Sequence, residues 1–314
     1  MKRVLIAYDG SSPAEAAIDD LCNAGLPAQL EATVMCVADV WMPPELPSGS
    51  STSSPLFPEA VRKARVRASQ AVSEAWVVAE RGSDRVRELF PKWQVTPLAC
   101  GDSPSWAVVQ KARDWSADLV VVGAHSHPAL ERLFLGSVAQ RAMAEAHCSV
   151  RIARPCGKPR RKELGIMVAV DGSSDSENAV REVARRRWPA DASFSLVSVI
   201  DVRMQSLLAW PGLYADRPSQ KPFQDAGDWI SQLVEHLGSE LRRGGRAVET
   251  HILEGDPKKV LVKQAAKWRA DCLFVGAHGL QHGRHLFLGS LATAVATRAP
   301  CSVEIVRAST KGSP

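Results

Sequence analysis

Val4-Leu-Ile-Ala-Tyr-Asp9-Gly-Ser-Ser12 is a short apolar run that stops at Asp-Gly-Ser-Ser, and the pattern returns as Ile166-Met-Val-Ala-Val-Asp171-Gly-Ser-Ser174. Such a run, bounded by turn residues, reads as a buried strand, and the serines that follow are good starts for a helix. Two further pieces recur. Gly123-Ala-His125 and Leu133-Phe-Leu-Gly136-Ser137 return as Gly276-Ala-His278 and Leu286-Phe-Leu-Gly289-Ser290, and Ala146-His-Cys148-Ser-Val150 returns as Ala299-Pro-Cys301-Ser-Val303. The offset is 162 residues at the first motif and 153 at the later ones, so the halves differ by nine residues in between. One duplication of this size in 314 residues means two homologous domains, not a solenoid. The expected boundaries are 1–155 and 164–308, with the Pro-, Gly- and Lys/Arg-rich stretch 156–163 as an exposed linker.

Within each half, β-rich runs alternate with stretches of helical period, the pattern of a parallel α/β sheet with helices on both faces. In the first half the strands fall at Arg3 to Tyr8, Leu30 to Val37, Gln94 to Ala99, Leu119 to Gly123 and Ser149 to Ala153. Their helices begin near Ser12, Pro58, Pro104 and Ser137. In the second half the strands begin near Gly165, Ser193, Ala247, Cys272 and Ser302. The stretches 41–58 and 203–222 are long loops after the second strand of each half, of a length more common in lids than in plain connections.

Composition narrows the function. No apolar run approaches the ~20 residues of a membrane span, and Val4 to Tyr8 is too short for a signal-peptide core. A cytoplasmic chain is expected. Seven scattered cysteines without a C-x-x-C pair argue against a disulfide framework or a zinc knuckle. The net charge of +5 is gathered partly in the linker and is nowhere interleaved with aromatics, so nucleic acid is not an expected partner. His278, His282 and His285 have a spacing that could face a metal. Gly279 and Gly283 interrupt the stretch, so these histidines read as surface groups or as an extra phosphate contact, and no metal site is expected.

The repeated motifs converge if the first and fourth strands are neighbours, because ligands of open α/β sheets bind at strand carboxyl ends where the winding reverses. Asp9 and Asp171 end the first strands; Gly123 and Gly276 end the fourth. Gly276, Gly279 and then Gly289-Ser290 at a helix start make a phosphate cradle: glycines let backbone approach anionic oxygens, and the helix start offers unpaired N–H groups. Asp171 could meet a ribose hydroxyl or a base edge, or simply cap the following helix. No G-x4-G-K-[ST] loop is present, and no base and nucleophile pair stands out.

The spacing G-x2-G-x9-G-S at Gly276, Gly279, Gly289 and Ser290 resembles the ATP-binding pattern of the universal stress proteins, in particular their tandem two-domain members. The resemblance implies two open five-stranded parallel sheets of order 3-2-1-4-5 and a Rossmann-like, adenine nucleotide alpha hydrolase-like fold. It also implies ATP as ligand, alone or with Mg2+, an adenine contact near Val37 and Val199, and a stress-response role with slow or no hydrolysis. The last strands, Val150 to Ala153 and Val303 to Val306, would pair the halves as an internal pseudo-dimer, with a homodimer of chains also open. The first half departs from the pattern. Asp9, Val37, Gly123, Gly136 and Ser137 are kept, but Ser126 stands at the second glycine and Pro128 follows, so the first site is expected to bind weakly or not at all. Two alternatives remain: a nucleotide-free interaction scaffold, and an enzyme cleaving ATP between the α and β phosphates, faintly suggested by Gly172, Asp175 and Ser176.

Overall fold

Val4, Leu5 and Ile6 are all fully buried, although they alternate between the faces of their strand; both faces of the sheet are therefore covered, which is why the run is uniformly apolar. A computed structural model describes residues 1–43, 56–124, 135–155, 163–201, 226–243, 245–279 and 288–307. The first half comprises β1 (Arg3–Ala7), α1 (Ser12–Asp20), β2 (Glu31–Ala38), α2 (Leu56–Leu89), β3 (Gln94–Gly101), α3 (Pro104–Asp114), β4 (Leu119–Gly123), α4 (Ser137–Glu145) and β5 (Ser149–Ala153). The second comprises β6 (Gly165–Val170), α5 (Ser174–Arg185), β7 (Ser193–Ile200), α6 (Ala226–Arg242), β8 (Val248–Glu254), α7 (Pro257–Trp268), β9 (Cys272–Gly276), α8 (Ser290–Arg298) and β10 (Ser302–Val306). The expected strands and helix starts are present. The loop stretches fall largely, and the linker almost wholly, outside the described residues.

Each half has the parallel order 3-2-1-4-5, and the two are joined edge to edge in one ten-stranded sheet, β3-β2-β1-β4-β5-β10-β9-β6-β7-β8. The seam is the antiparallel pair β5–β10, in which Val150, Arg151 and Ile152 face Ile305, Glu304 and Val303. Arg151 and Glu304 are equivalent positions of the repeat, so this pair sits on the local two-fold axis that relates the halves. The arginines that follow each strand repeat the symmetry. Arg154 donates to the carbonyls of Ala296 and Thr297 at the end of α8, and Arg307 donates to those of Met143 and Ala144 at the end of α4. Each cation thus meets the negative end of the other half's helix.

On one face the core runs unbroken across the seam, from Val120, Val150 and Ile152 to Leu273, Val303 and Ile305, under α3, α4, α7 and α8. On the other face each half keeps its own core: Ile6, Ile18 and Val86 in the first, Val168, Phe194 and Leu237 in the second. A second contact ties the halves on this side. Arg187 N–H donates to the Gly25 carbonyl at 3.0 Å, and Trp188 stacks so closely on Gly25 (φ +61°) that a Cβ there would lie 2.8 Å from the ring.

Candidate nucleotide site

β6 lies between β7 and β9, so the chain leaves it in one direction and returns on the other side, opening a crevice at the strand ends. A cavity of about 480 Å3 fills that crevice, within the usual size for a small-molecule site. Asp171, Val199, Gly276, Gly279, Gly289 and Ser290, the residues singled out in the second half, all line it. Its floor is apolar, with Ala169, Val197, Val199, Leu261 and Val275.

Local hydrogen bonds shape the rim. Ser173 caps α5, its Oγ accepting from Ser176 N–H at 3.2 Å, while the same hydroxyl donates to Asp171 Oδ1 at 2.6 Å. Asp171 therefore does cap the turn, yet it also reaches the cavity. Gly279 lies over it: a Cβ at Gly279 would stand 2.8 Å from Asp171 Oδ2. At Gly276 a Cβ would stand 2.7 Å from the Ser176 nitrogen, so glycine is required by close approach. Gly289 begins α8 without a side-chain cap, so the first-turn N–H groups of Ser290, Leu291 and Ala292, which line the cavity, have no cap partner.

Asp201, Asp256 and Lys258 were missed in the sequence as site residues, and Asp175 was named there without the role it has here. Asp175, on the first turn of α5, holds the start of the glycine loop: its Oδ2 accepts from His278 N–H at 3.1 Å and lies 2.8 Å from His278 Nδ1. The Ser173 hydroxyl oxygen also lies 3.1 Å from the His278 carbonyl, an alternative acceptor for the proton it gives to Asp171. Asp256 caps α7 by accepting from Lys258 N–H at 3.0 Å, and Asp256, Lys258 and Asp201 also line the cavity. The Asp256-Pro257 helix start was the available signal for these, and Asp175 pairs with a histidine 103 residues away, which no local pattern reveals. His282 and His285 lie outside the described residues. Among the described residues no cluster of three metal-ligating side chains occurs.

The first half repeats the frame. Asp9 Oδ1 accepts from Ser11 N–H at 3.0 Å, Gly136 starts α4 without a side-chain cap, and Gly123 ends β4 while Val37 is one residue short of the end of β2, the two strands that flank β1. Pro13 and Ala14 stand where the second half has Asp175 and Ser176, so the carboxylate that anchors the glycine loop is missing. Ser126, with His125 and His127, lies outside the described residues.

The same architecture and repeat are found in known proteins. A protein of Staphylococcus haemolyticus named for the universal stress family is 30% identical over 146 residues, covering 45% of this chain and 83% of its own. A counterpart in Staphylococcus aureus strain USA300 is 31% identical, with 45% and 82% covered. The crystal structure of a universal stress protein from Archaeoglobus fulgidus superposes with a TM-score of 0.61 at 16% identity, covering 97% of this chain and 98% of that one. No helix among the described residues is long and apolar enough to cross a membrane. The sequence model of the family described as "Universal stress protein family" matches twice, at residues 1–154 and 165–307, and the chain belongs to that family.

Proposed function

We propose that this chain binds an adenine nucleotide, ATP, mainly in its second half, and that occupancy rather than rapid turnover is its signal in a stress response. The observation that carries this reading is the convergence of Asp171, Val199, Gly276, Gly279, Gly289 and Ser290 on one cavity. The apolar floor under Val197 and Val199 suits a flat base, Asp171 suits a ribose hydroxyl, and the loop with the α8 start suits phosphates. Asp201 and Asp256 add negative charge, which favours delivery of the phosphates with Mg2+. Domains at 1–155 and 164–308 form an internal pseudo-dimer through β5 and β10, and with that edge used, any homodimer forms elsewhere. The weaker first site has Asp9, Val37, Gly123, Ser126, Gly136 and Ser137. A cytoplasmic setting fits the free thiols of Cys36, Cys100, Cys148, Cys272 and Cys301.

The protein is to be purified without nucleotide, denatured, and the released ligand identified by mass spectrometry, followed by calorimetric titration with ATP. One ATP per chain supports the second site alone, and two support both. No ligand and no heat favour a nucleotide-free scaffold.

A further inference from the structure

We infer that Asp175 and His278 form a general-base dyad that activates water against the terminal phosphorus of the bound nucleotide. The inference rests on the nucleotide reading and adds a reaction to it. Asp175 Oδ2 lies 2.8 Å from His278 Nδ1, which fixes Nδ1 as the protonated ring nitrogen and leaves Nε2, on the far edge of the imidazole, as the basic one. The tautomer is secured further because the same oxygen takes the His278 backbone N–H at 3.1 Å, so ring and loop are positioned by one carboxylate.

The dyad stands at the phosphate end of the cavity. His278 lines it, lies between Gly276 and Gly279, and has its Cα 3.6 Å from the place of a Cβ on Gly289, at the start of α8. Both members are partly shielded, with side-chain exposures of 28% for His278 and 11% for Asp175, leaving the imidazole open to water. The other half cannot build the pair, because Pro13 replaces the aspartate.

In the step, the water oxygen bonds to the terminal phosphorus while the bond from that phosphorus to the bridging oxygen breaks. The electron pair leaves on the bridging oxygen as ADP. The water proton moves to His278 Nε2, the Asp175 carboxylate stabilises the imidazolium, and the proton is then lost to solvent. Neither member need be fast: a base alone contributes about 10²–10⁴-fold, and among the described residues lining the cavity Lys258 is the one cation.

The test uses the full-length protein with ATP and Mg2+. Calorimetry gives the affinity, chromatography gives the products in a single turnover, and imidazole nitrogen NMR of the wild type gives the tautomer of His278. His278→Asn keeps an N–H for Asp175 and removes Nε2; it is expected to hold the affinity within about threefold and to slow ADP release at least about tenfold. Asp175→Asn is expected to slow release as well and to abolish the Nδ1-protonated signal. Binding without ADP release by the wild type, unchanged turnover in His278→Asn, a neutral His278 protonated on Nε2, or AMP with pyrophosphate as product would each overturn the dyad while leaving the nucleotide reading intact. Absence of binding would overturn both, and calorimetry separates that case.

Discussion

Arg151 and Glu304 face each other on the axis of the β5–β10 seam, both fully buried and 3.1 Å apart, although they are the same position of the repeat. Around them Arg186 binds both oxygens of Glu304 and, at the rim, Glu182 at 3.1 Å, while Asp20 holds Arg151 at 2.7 Å, so the two buried arginines are met by two buried carboxylates and a third that is partly exposed. A pairing of two first halves would set arginine against arginine there, and of two second halves glutamate against glutamate. The seam is chemically suited to unlike halves, and removing one member leaves a buried charge unmatched.

Glu304→Gln is therefore expected to cost about 3–5 kcal/mol, measured by urea unfolding of the full chain. The pH dependence has a definite sign. Burial pushes the Glu304 carboxyl up, but Arg186 and Arg151 outweigh it and hold the group below the usual glutamate range. Its folded value is lowered, so its contribution is present above the unfolded value near pH ~4.3 and is lost as pH falls through the folded value. The wild type should lose stability over that acid window, and the variant should lose less.

Gly279→Ser places in the second half the residue that Ser126 supplies in the first. With a Cβ 2.8 Å from Asp171 Oδ2, ATP affinity is expected to fall at least tenfold, about 1.4 kcal/mol. The reciprocal Ser126→Gly should raise binding at the first site, seen as a second equivalent in calorimetry. An unchanged stoichiometry in Ser126→Gly would move the defect to Pro13, where the loop anchor is missing.

Gly25→Ala tests the second contact between the halves. The positive φ and the Trp188 ring both oppose a side chain, and a loss of about 1–3 kcal/mol is expected in thermal or urea unfolding. A neutral substitution would show that Trp188 shifts aside freely.

Thiol labelling reports on the seam. Burial pushes the Cys148 and Cys301 thiols up to about 12 and drives Cys272 higher still, whereas Cys22 is exposed. Iodoacetamide at pH 8 should label Cys22 and spare these three, as read by peptide mass mapping, until denaturant opens the sheet. Labelling of Cys272 in the native protein would mean that the two halves separate readily.

The repeat, the strand positions and the glycine cradle were legible because each is local: a β-rich run, a turn, a helix start, and a fixed spacing set by how backbone must approach an anion. The same spacing marked Ser126 as the departure of the first half. The tertiary structure decided what depends on residues far apart in the chain. Arg151 meets Glu304 at a separation of 153 residues, and Asp175 meets His278 at 103; neither pairing carries a sequence signal, since a charged residue reads alike whether it is solvated or buried against a distant partner. That the two sheets share an edge was suggested by resemblance, but the antiparallel register that seats unlike charges on the axis exists only once β5 and β10 are paired.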